Sequence, residues 1–504
     1  MRLVEAAPSP WVRGGVALVL GVLLALAMPP YSWWPLAVVA VAGLALLCRN
    51  VSGGTGALVG AAFGFGFVLV CMWWLWIIVP GLQFAVAAAE VPFFALLGAG
   101  LALTSRLPGW PLWGACCWVA MELLRGRVPF GGLPWGRLGL SVVDTPIVAW
   151  ARYLGEGGLT LAVALGSTLL AAALVGSRRR VALRVGAAAL VLAGAVLLPT
   201  GLQGPPGRSV TVAVVQGDVP GSGLDAFSRP RVTLRNHVQA THRLATDVRS
   251  GRVARPDVVV WPENASDIDP FGDPEARARV QGAVDAVGVP VVVGAVTQGP
   301  EAASVQGSGI VWHPESGPGQ RYAKRRLVPF GEWVPMRPAL TALVPLLAEE
   351  TPRDFTPGNR PGILDTGPVT LGAVMCFEVA YDAAIRDVTR PDVDLIAVQT
   401  NNAFYLGTGQ LDQQWAITRL RAVESGRAVA VAATTGISGF IAPDGTVIER
   451  TTGRTQQVLV AEVPAGEGRT PGIRWGFWVE VVGSVVAAAA IGSRVRRPGG
   501  VRRG

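Results

Sequence analysis

The stretch "VTLGAVMCFE", residues 369–378, runs without a charge and, from Leu371 to Met375, without a polar side chain, then stops on a thiol and, two positions later, a carboxylate. A strand with one wet face alternates polar and apolar. A continuous Val/Ala/Leu run is what a strand buried on both faces requires. The same texture recurs in "SVTVAVVQ" (209–216), "PDVVVWPE" (256–263), "VPVVVGAV" (289–296), "SGIVWH" (308–313) and "DLIAVQTNN" (394–402). It returns in "RAVAVAATT" (427–435), "GFIAPDGTVIE" (439–449) and "QVLVAEV" (457–463), with "APDGTVIE" reading as a tight hairpin turn. Between these runs, "RVTLRNHVQATHRLATDVRS" (231–250) and "LDQQWAITRLRAVESGR" (411–427) carry helical spacing. Strands alternating with helices predict a layered α/β domain over 207–464 with its own core.

Outward from that domain the chain changes character. Of its 504 residues 51% are hydrophobic and only 15% charged, with a mean hydropathy of +0.44, which points to a membrane protein. Residues 1–206 predict about seven helices, at about 11–28, 33–48, 55–80, 83–104, 111–124, 157–176 and 185–202, most near the ~20 residues that a bilayer needs. An eighth run, about 473–492, is the membrane helix of a C-terminal segment, 465–504. The first run lacks a small-x-small cleavage site and reads as an uncleaved helix. The net charge of +9 does not argue for nucleic acid, because the arginines cluster beside apolar runs, as membrane-orienting charges do. Arg178, Arg179, Arg180 and Arg184 between runs six and seven, and Arg494, Arg496, Arg497, Arg502 and Arg503 after run eight, predict cytoplasmic segments one crossing either side of an extracytoplasmic α/β domain. Residues 125–156 would then lie outside while carrying Arg125, Arg127, Arg137 and Arg152. Either the loop breaks a statistical rule or these guanidiniums face lipid phosphates.

Five cysteines occur, four in or beside apolar runs; with no CxxC or Cys/His ligand spacing, zinc is not expected. Cys376 has no partner cysteine in the α/β domain. Of the 43 Lys plus Arg residues, Lys324 in "RYAKRRLVPFGE" is the only lysine. An ammonium is a compact donor whose proton affinity responds to burial, whereas a guanidinium is planar and stays charged. Glu263 ends the "VVVWPE" run and Cys376 ends "LGAVM", and strand ends are where α/β sheets present reactive groups. His237 and His242 sit on a polar helix and His313 in a turn, so the usual base for a thiol is missing from these motifs. Glu263 can take that role, leaving Lys324 to donate to an oxyanion on a substrate attacked by Cys376. Taken singly, Cys376 could be core, Glu263 a cap, and Glu332 or Glu378 surface charge.

The order Glu, Lys, Cys, with "WPE", "K-x-x-LVPFGE" and "C-F-E", resembles the nitrilase (carbon–nitrogen hydrolase) superfamily. With its flanking helices, nearly the whole chain resembles the bacterial apolipoprotein N-acyltransferase family. The resemblance implies an αββα sandwich, Glu263 as base, Lys324 as donor and Cys376 as nucleophile. It also implies Glu332 and Glu378 as accessory carboxylates and the Phe377 backbone N–H as an oxyanion donor, with Phe377 standing where tyrosine is common. The implied reaction needs no cofactor. Cys376 takes an acyl chain from a phospholipid and passes it to the amine of a diacylglyceryl apolipoprotein, both partners lying in the bilayer of the bacterial cell membrane. Two other readings stand beside it: a membrane-anchored amidase with water as acceptor, and a transporter, for which Glu90, Glu122 and Glu480 are few in-span charges. "WVPMRPALTALVPLLAEE" (333–350) places Met336, Leu340, Leu343, Val344 and Leu347 on one helical face, either a membrane-dipping arm or a helix packed on protein.

Overall fold

The computed structural model describes residues 9–198, 207–219, 231–301, 303–345, 347–348, 351 and 353–496. The chain divides into two compact units, Met1–Pro199 with Pro471–Gly504, and Thr200–Thr470.

The first unit is helical: α1 (Pro10–Leu26), α2 (Pro35–Leu47), α3 (Gly53–Cys71), α4 (Leu82–Thr104), α5 (Trp110–Arg125), α6 (Trp150–Leu174), α7 (Arg178–Ala193) and the C-terminal helix Pro471–Val495. Among the described residues five helical stretches are long and apolar enough to cross a membrane: Gly53–Cys71, Leu82–Thr104, Pro146–Leu174, Arg180–Leu197 and Pro471–Val495. Local chemistry sets the starts. Ser52 accepts the Thr55 N–H at 3.1 Å, and prolines occupy the first turns of α1, α2 and α5. With no hydrophobic drive between helices in lipid, contact depends on close backbone approach. A Cβ on Gly98 of α4 would fall 2.1 Å from the Gly56 carbonyl of α3, so only glycine permits this crossing.

Three boundaries differ from the sequence reading. The run expected over 55–80 leaves the α-helix at Cys71 and continues as a 3-10 turn, Trp73–Ile77, in which Trp73 and Trp76 stack at 5.8 Å and Trp74 meets Trp135 edge-on. Apolarity alone does not distinguish these two windings. The sixth helix starts at Trp150, with a break at Gly155 (φ 70°, ψ 178°) that glycine tolerates. The seventh starts at Arg178, so Arg180 and Arg184 lie within it, Arg184 donating to the Ala172 carbonyl. The end expected at 202 lies outside the described residues, as do Arg497, Arg502 and Arg503.

The loop arginines are corrected more strongly. Arg125 is buried, donating to Glu90 at 3.3 Å and to the Trp135 carbonyl at 2.8 Å. Arg137 is 3% exposed and meets three carboxylates: Glu122 at 3.1 Å, Glu156 at 3.2 Å and Glu480 at 2.5 Å. Arg127 shares Glu480 at 3.0 Å, and Arg152 is buried. Arg125, Arg127 and Arg137 thus meet carboxylates inside the helical unit, where an unpaired ion would be costly. Arg125 and Arg137 are therefore not placed to face phosphates.

The second unit holds two six-stranded sheets. Its strands are β1 (Ser209–Gln216), β2 (Val258–Val260), β3 (Val291–Gln298), β4 (Val305–His313), β5 (Gly317–Ala323), β6 (Ile363–Asp365), β7 (Thr370–Met375), β8 (Leu395–Thr400), β9 (Val429–Ala433), β10 (Gly439–Ile441), β11 (Val447–Arg450) and β12 (Gln457–Pro464). One sheet runs β12-β1-β2-β3-β4-β5, the other β11-β10-β9-β8-β7-β6. β1, β2 and β3 are parallel to one another, as are β7, β8 and β9. Val210, Val212, Val214, Val258 and Val260 face Leu371, Ala373, Met375 and Ala397 across the two sheets. The alternate residues Ala213, Val215 and Val259 face α8 (Val232–Arg249) and α9 (Pro274–Val287). Both strand faces are dry, which is why these runs are continuously apolar. β10 and β11 form the hairpin expected around "APDGTVIE". β5 and β6 carry no apolar run to mark them: "GPGQRYA" buries few side chains, and β6 is three residues long.

The apolar stripe expected over 333–350 is not one helix. Met336 sits at φ 45°, α10 covers only Arg337–Leu343, and Val344 already lies past its end, just before Pro345. Met336 and Val344 are exposed. The side chain of Leu343 and residues 346, 349 and 350 lie outside the described residues.

Candidate active site

The segment after β2 carries Glu263. Trp261 still donates its N–H to the Val292 carbonyl at 2.9 Å, and Pro262, with no N–H, ends the ladder. "WPE" lies directly on β3, where a Cβ on Gly294 would meet the Pro262 carbonyl at 1.9 Å. Glu263 is buried, its Oε2 accepting the Asn401 N–H at 3.2 Å and its Oε1 accepting Lys324 Nζ at 2.9 Å.

Lys324 follows β5 directly and is 1% exposed. Its second donor bond, at 2.6 Å, goes to Glu332 Oε1. Glu332 Oε2 accepts the Val328 N–H at 2.8 Å, which folds "LVPFGE" back on itself. Burial pulls against the ammonium, but the Glu263 and Glu332 carboxylates overcome this and hold Lys324 well above its ordinary value. Burial pushes the Glu332 carboxyl up, opposed by Lys324.

Cys376 opens a 3-10 turn, Cys376–Ala380, at the end of β7. Its φ of 47° is one that residues with a Cβ rarely adopt, the kind of local strain that clusters at reactive positions. The residue is partly accessible, and its sulfur lies close enough to Glu263, Lys324 and Glu332 for all three charges to act on it. Burial and then the Glu263 charge push the thiol up to about 12, against the pull of Lys324 and a hydrogen bond with Thr400. The site therefore rests as a thiol beside an ion pair.

Glu378 is fully buried rather than surface charge. It accepts from the Met375 N–H at 2.8 Å, the Tyr322 hydroxyl at 2.7 Å, and the Arg325 and Arg326 N–H groups at 2.9 Å each. One carboxylate thus ties the cysteine turn to the chain that follows Lys324. Phe377 is half-buried, with its ring edge-on to Tyr381 at 5.6 Å. Arg421, buried on α12 (Gln410–Ser425, after α11 at Asp382–Val388), holds the far end of the turn through the Val379 and Ala380 carbonyls at 2.9 and 2.7 Å.

Sequence reasoning missed Tyr322, Thr400, Asn401 and Arg421. A signal existed for two of them: "QTNN" is a polar ending on an apolar strand. Tyr322 and Arg421 carry no local mark. Among the described residues no three His, Cys, Asp or Glu side chains gather so as to hold a metal ion.

Residues 20–169 match the apolipoprotein N-acyltransferase N-terminal domain, and residues 211–470 match the carbon-nitrogen hydrolase family. A protein of Mycolicibacterium smegmatis named apolipoprotein N-acyltransferase is 38% identical, the alignment covering 94% of this chain and 83% of the relative. Proteins of the same name from Ralstonia nicotianae and Methylococcus capsulatus are each 30% identical, covering 96% and 92% of this chain and 94% and 92% of the relatives. Among solved structures, an amidase from Nesterenkonia sp. is similar over 53% of this chain and 94% of its own, at 20% identity and a TM-score of 0.38. With both domains matched in order and relatives alignable over nearly the full length, the chain belongs to the apolipoprotein N-acyltransferase family.

Proposed function

We propose that this protein moves an acyl chain from a membrane phospholipid to the α-amine of a diacylglyceryl-cysteine at the N-terminus of an apolipoprotein, through a thioester on Cys376. The observation that carries this reading is the only lysine of the chain, buried between Glu263 and Glu332 beside a cysteine at positive φ. A thiol pushed up to about 12 keeps its proton at neutral pH, so attack and proton transfer occur together. As Cys376 Sγ bonds to the ester carbonyl carbon, Glu263 takes the thiol proton and the Lys324 ammonium donates to the developing oxyanion. The ester C–O bond then breaks, and the leaving alkoxide takes the proton back from Glu263, departing as a lysophospholipid. In the second half the lipoprotein amine attacks the thioester and loses a proton to Glu263. The C–S bond breaks and the proton returns to sulfur. A thioester is reactive enough to form an amide without a nucleotide.

Five helical stretches of membrane-crossing length and composition support membrane-bound donor and acceptor. The arginine distribution supports a bacterial cell membrane location with the α/β unit on the extracytoplasmic side. The test is mass spectrometry of the purified full chain mixed with phospholipid. The expected result is one acyl adduct on Cys376, absent in Cys376→Ala and discharged by a diacylated lipopeptide that becomes N-acylated. An adduct discharged only to free fatty acid would favour the amidase-like use of water. Absence of any adduct on the wild-type protein would sink the reading.

A further inference from the structure

Gln399 is a polar residue in a position that chemistry disfavours. It is the fifth residue of β8, 0% exposed, between two sheets joined mainly by Val, Ala and Leu side chains. Its Nε2 donates to the Trp261 carbonyl at 2.6 Å, crossing from the sheet of β7 and β8 to the sheet of β2. Its Oε1 is buried with no hydrogen-bond partner among the described residues, a cost that an apolar residue would avoid. Room for that oxygen comes from Gly309 on β4, where a Cβ would stand 2.6 Å from it. Both ends of the bond matter to the site. Trp261 is two residues before Glu263. Gln399 pairs in register with Met375, the residue before Cys376, and precedes Thr400 and Asn401, which touch Cys376 and Glu263.

We propose that Gln399 is a positioning residue: its amide bolts the "WPE" segment to the cysteine-bearing sheet and so sets where Glu263 stands relative to Cys376. Apolar contact between sheets is non-directional and tolerates small slips. The short bond to Trp261, with a second, longer one from the same Nε2 to the Val292 carbonyl at 3.5 Å, specifies register along the strand, and a shift of about 1 Å at a reacting pair can cost about a hundredfold in rate. This deepens the proposed function and rests on its assignment of Glu263 and Cys376.

The experiment follows acyl-adduct formation on Cys376 against time and pH in wild type, Gln399→Leu, Gln399→Glu, Gly309→Ala and the Gln399→Leu/Gly309→Ala double variant, each checked by thermal unfolding. Leu is one bond shorter and cannot donate, so Gln399→Leu should slow adduct formation by about 10- to 100-fold. A protonated Glu can donate to the Trp261 carbonyl and an ionised one cannot. Gln399→Glu should therefore approach the wild-type rate at low pH and lose it as pH rises, a limb absent from wild type and from Gln399→Leu. Gly309→Ala should slow the wild type by displacing Oε1 and add little in the Gln399→Leu background. Gln399→Leu at the wild-type rate would overturn the inference, as would Gln399→Glu tracking Gln399→Leu at every pH. A wild type that forms no adduct defeats the proposed function itself, so the two failures are distinguishable.

Discussion

Replacing Lys324 by Met removes one ammonium and strands two carboxylates. Lys324 Nζ lies 2.9 Å from a Glu263 oxygen and 2.6 Å from a Glu332 oxygen, so those oxygens are at most about 5.5 Å apart. At an effective dielectric of about 20, two unit charges at that separation repel by about 3 kcal/mol. A proton relieves this: placing one on a glutamate of ordinary pKa costs about 4 kcal/mol at pH 7 but only about 1 kcal/mol at pH 5. At pH 7 the repulsion is the smaller of the two costs, so the variant should be destabilised by about 3 kcal/mol, within the range for breaking a buried ion pair. Most of that should return at pH 5. The sign follows from linkage. A carboxyl whose folded pKa is raised contributes stability below its unfolded value and loses it as pH rises. Adduct formation behaves differently, because the proposed oxyanion donor is missing at every pH, and should fall by at least 100- to 1,000-fold. The assay is thermal unfolding of the full chain in detergent at pH 5 and pH 7, beside mass spectrometry of the Cys376 adduct. A stability deficit equal at both pH values, or an adduct formed at the wild-type rate, would refute this account of the site.

Two further outcomes follow from the same geometry. With the Cys376 thiol pushed up to about 12, its alkylation by iodoacetamide should rise about tenfold per pH unit from pH 7 to 10; a plateau below pH 8 would show a preformed thiolate and contradict the concerted step. In the helical unit, Arg137→Leu removes the guanidinium that Glu122, Glu156 and Glu480 share. That should cost about 3–5 kcal/mol and appear as loss of monodisperse protein on size-exclusion chromatography, whereas Glu156→Gln should be tolerated.

Much of the architecture could be read along the chain, because the information is local. "SVTVAVVQ" announces a strand dry on both faces through its own eight residues, and β1 buries Val212 toward the facing sheet and Ala213 toward the helices. Candidate reactive residues were legible for a related reason: Glu263 and Cys376 each interrupt an apolar run at a strand end, and Lys324 stands alone among arginines. Elements with little local signature escaped. β5 is exposed over three of its seven residues, and the turn Trp73–Ile77 is as apolar as the helix before it.

What the sequence by itself determined was the order of the parts: apolar helices, then buried strands ending in a carboxylate, an amine and a thiol, then a last helix. Periodicity and breakers act over a few residues, so they can be read without knowing what lies across from them. Only the tertiary structure decided who meets whom. The Arg137 guanidinium finds Glu480 across 343 positions, and the Gln399 amide finds the Trp261 carbonyl across 138. A charge or an amide carries no period that names its partner, and in a dry interior that partner determines whether the group is an ion pair, a bolt or a cost.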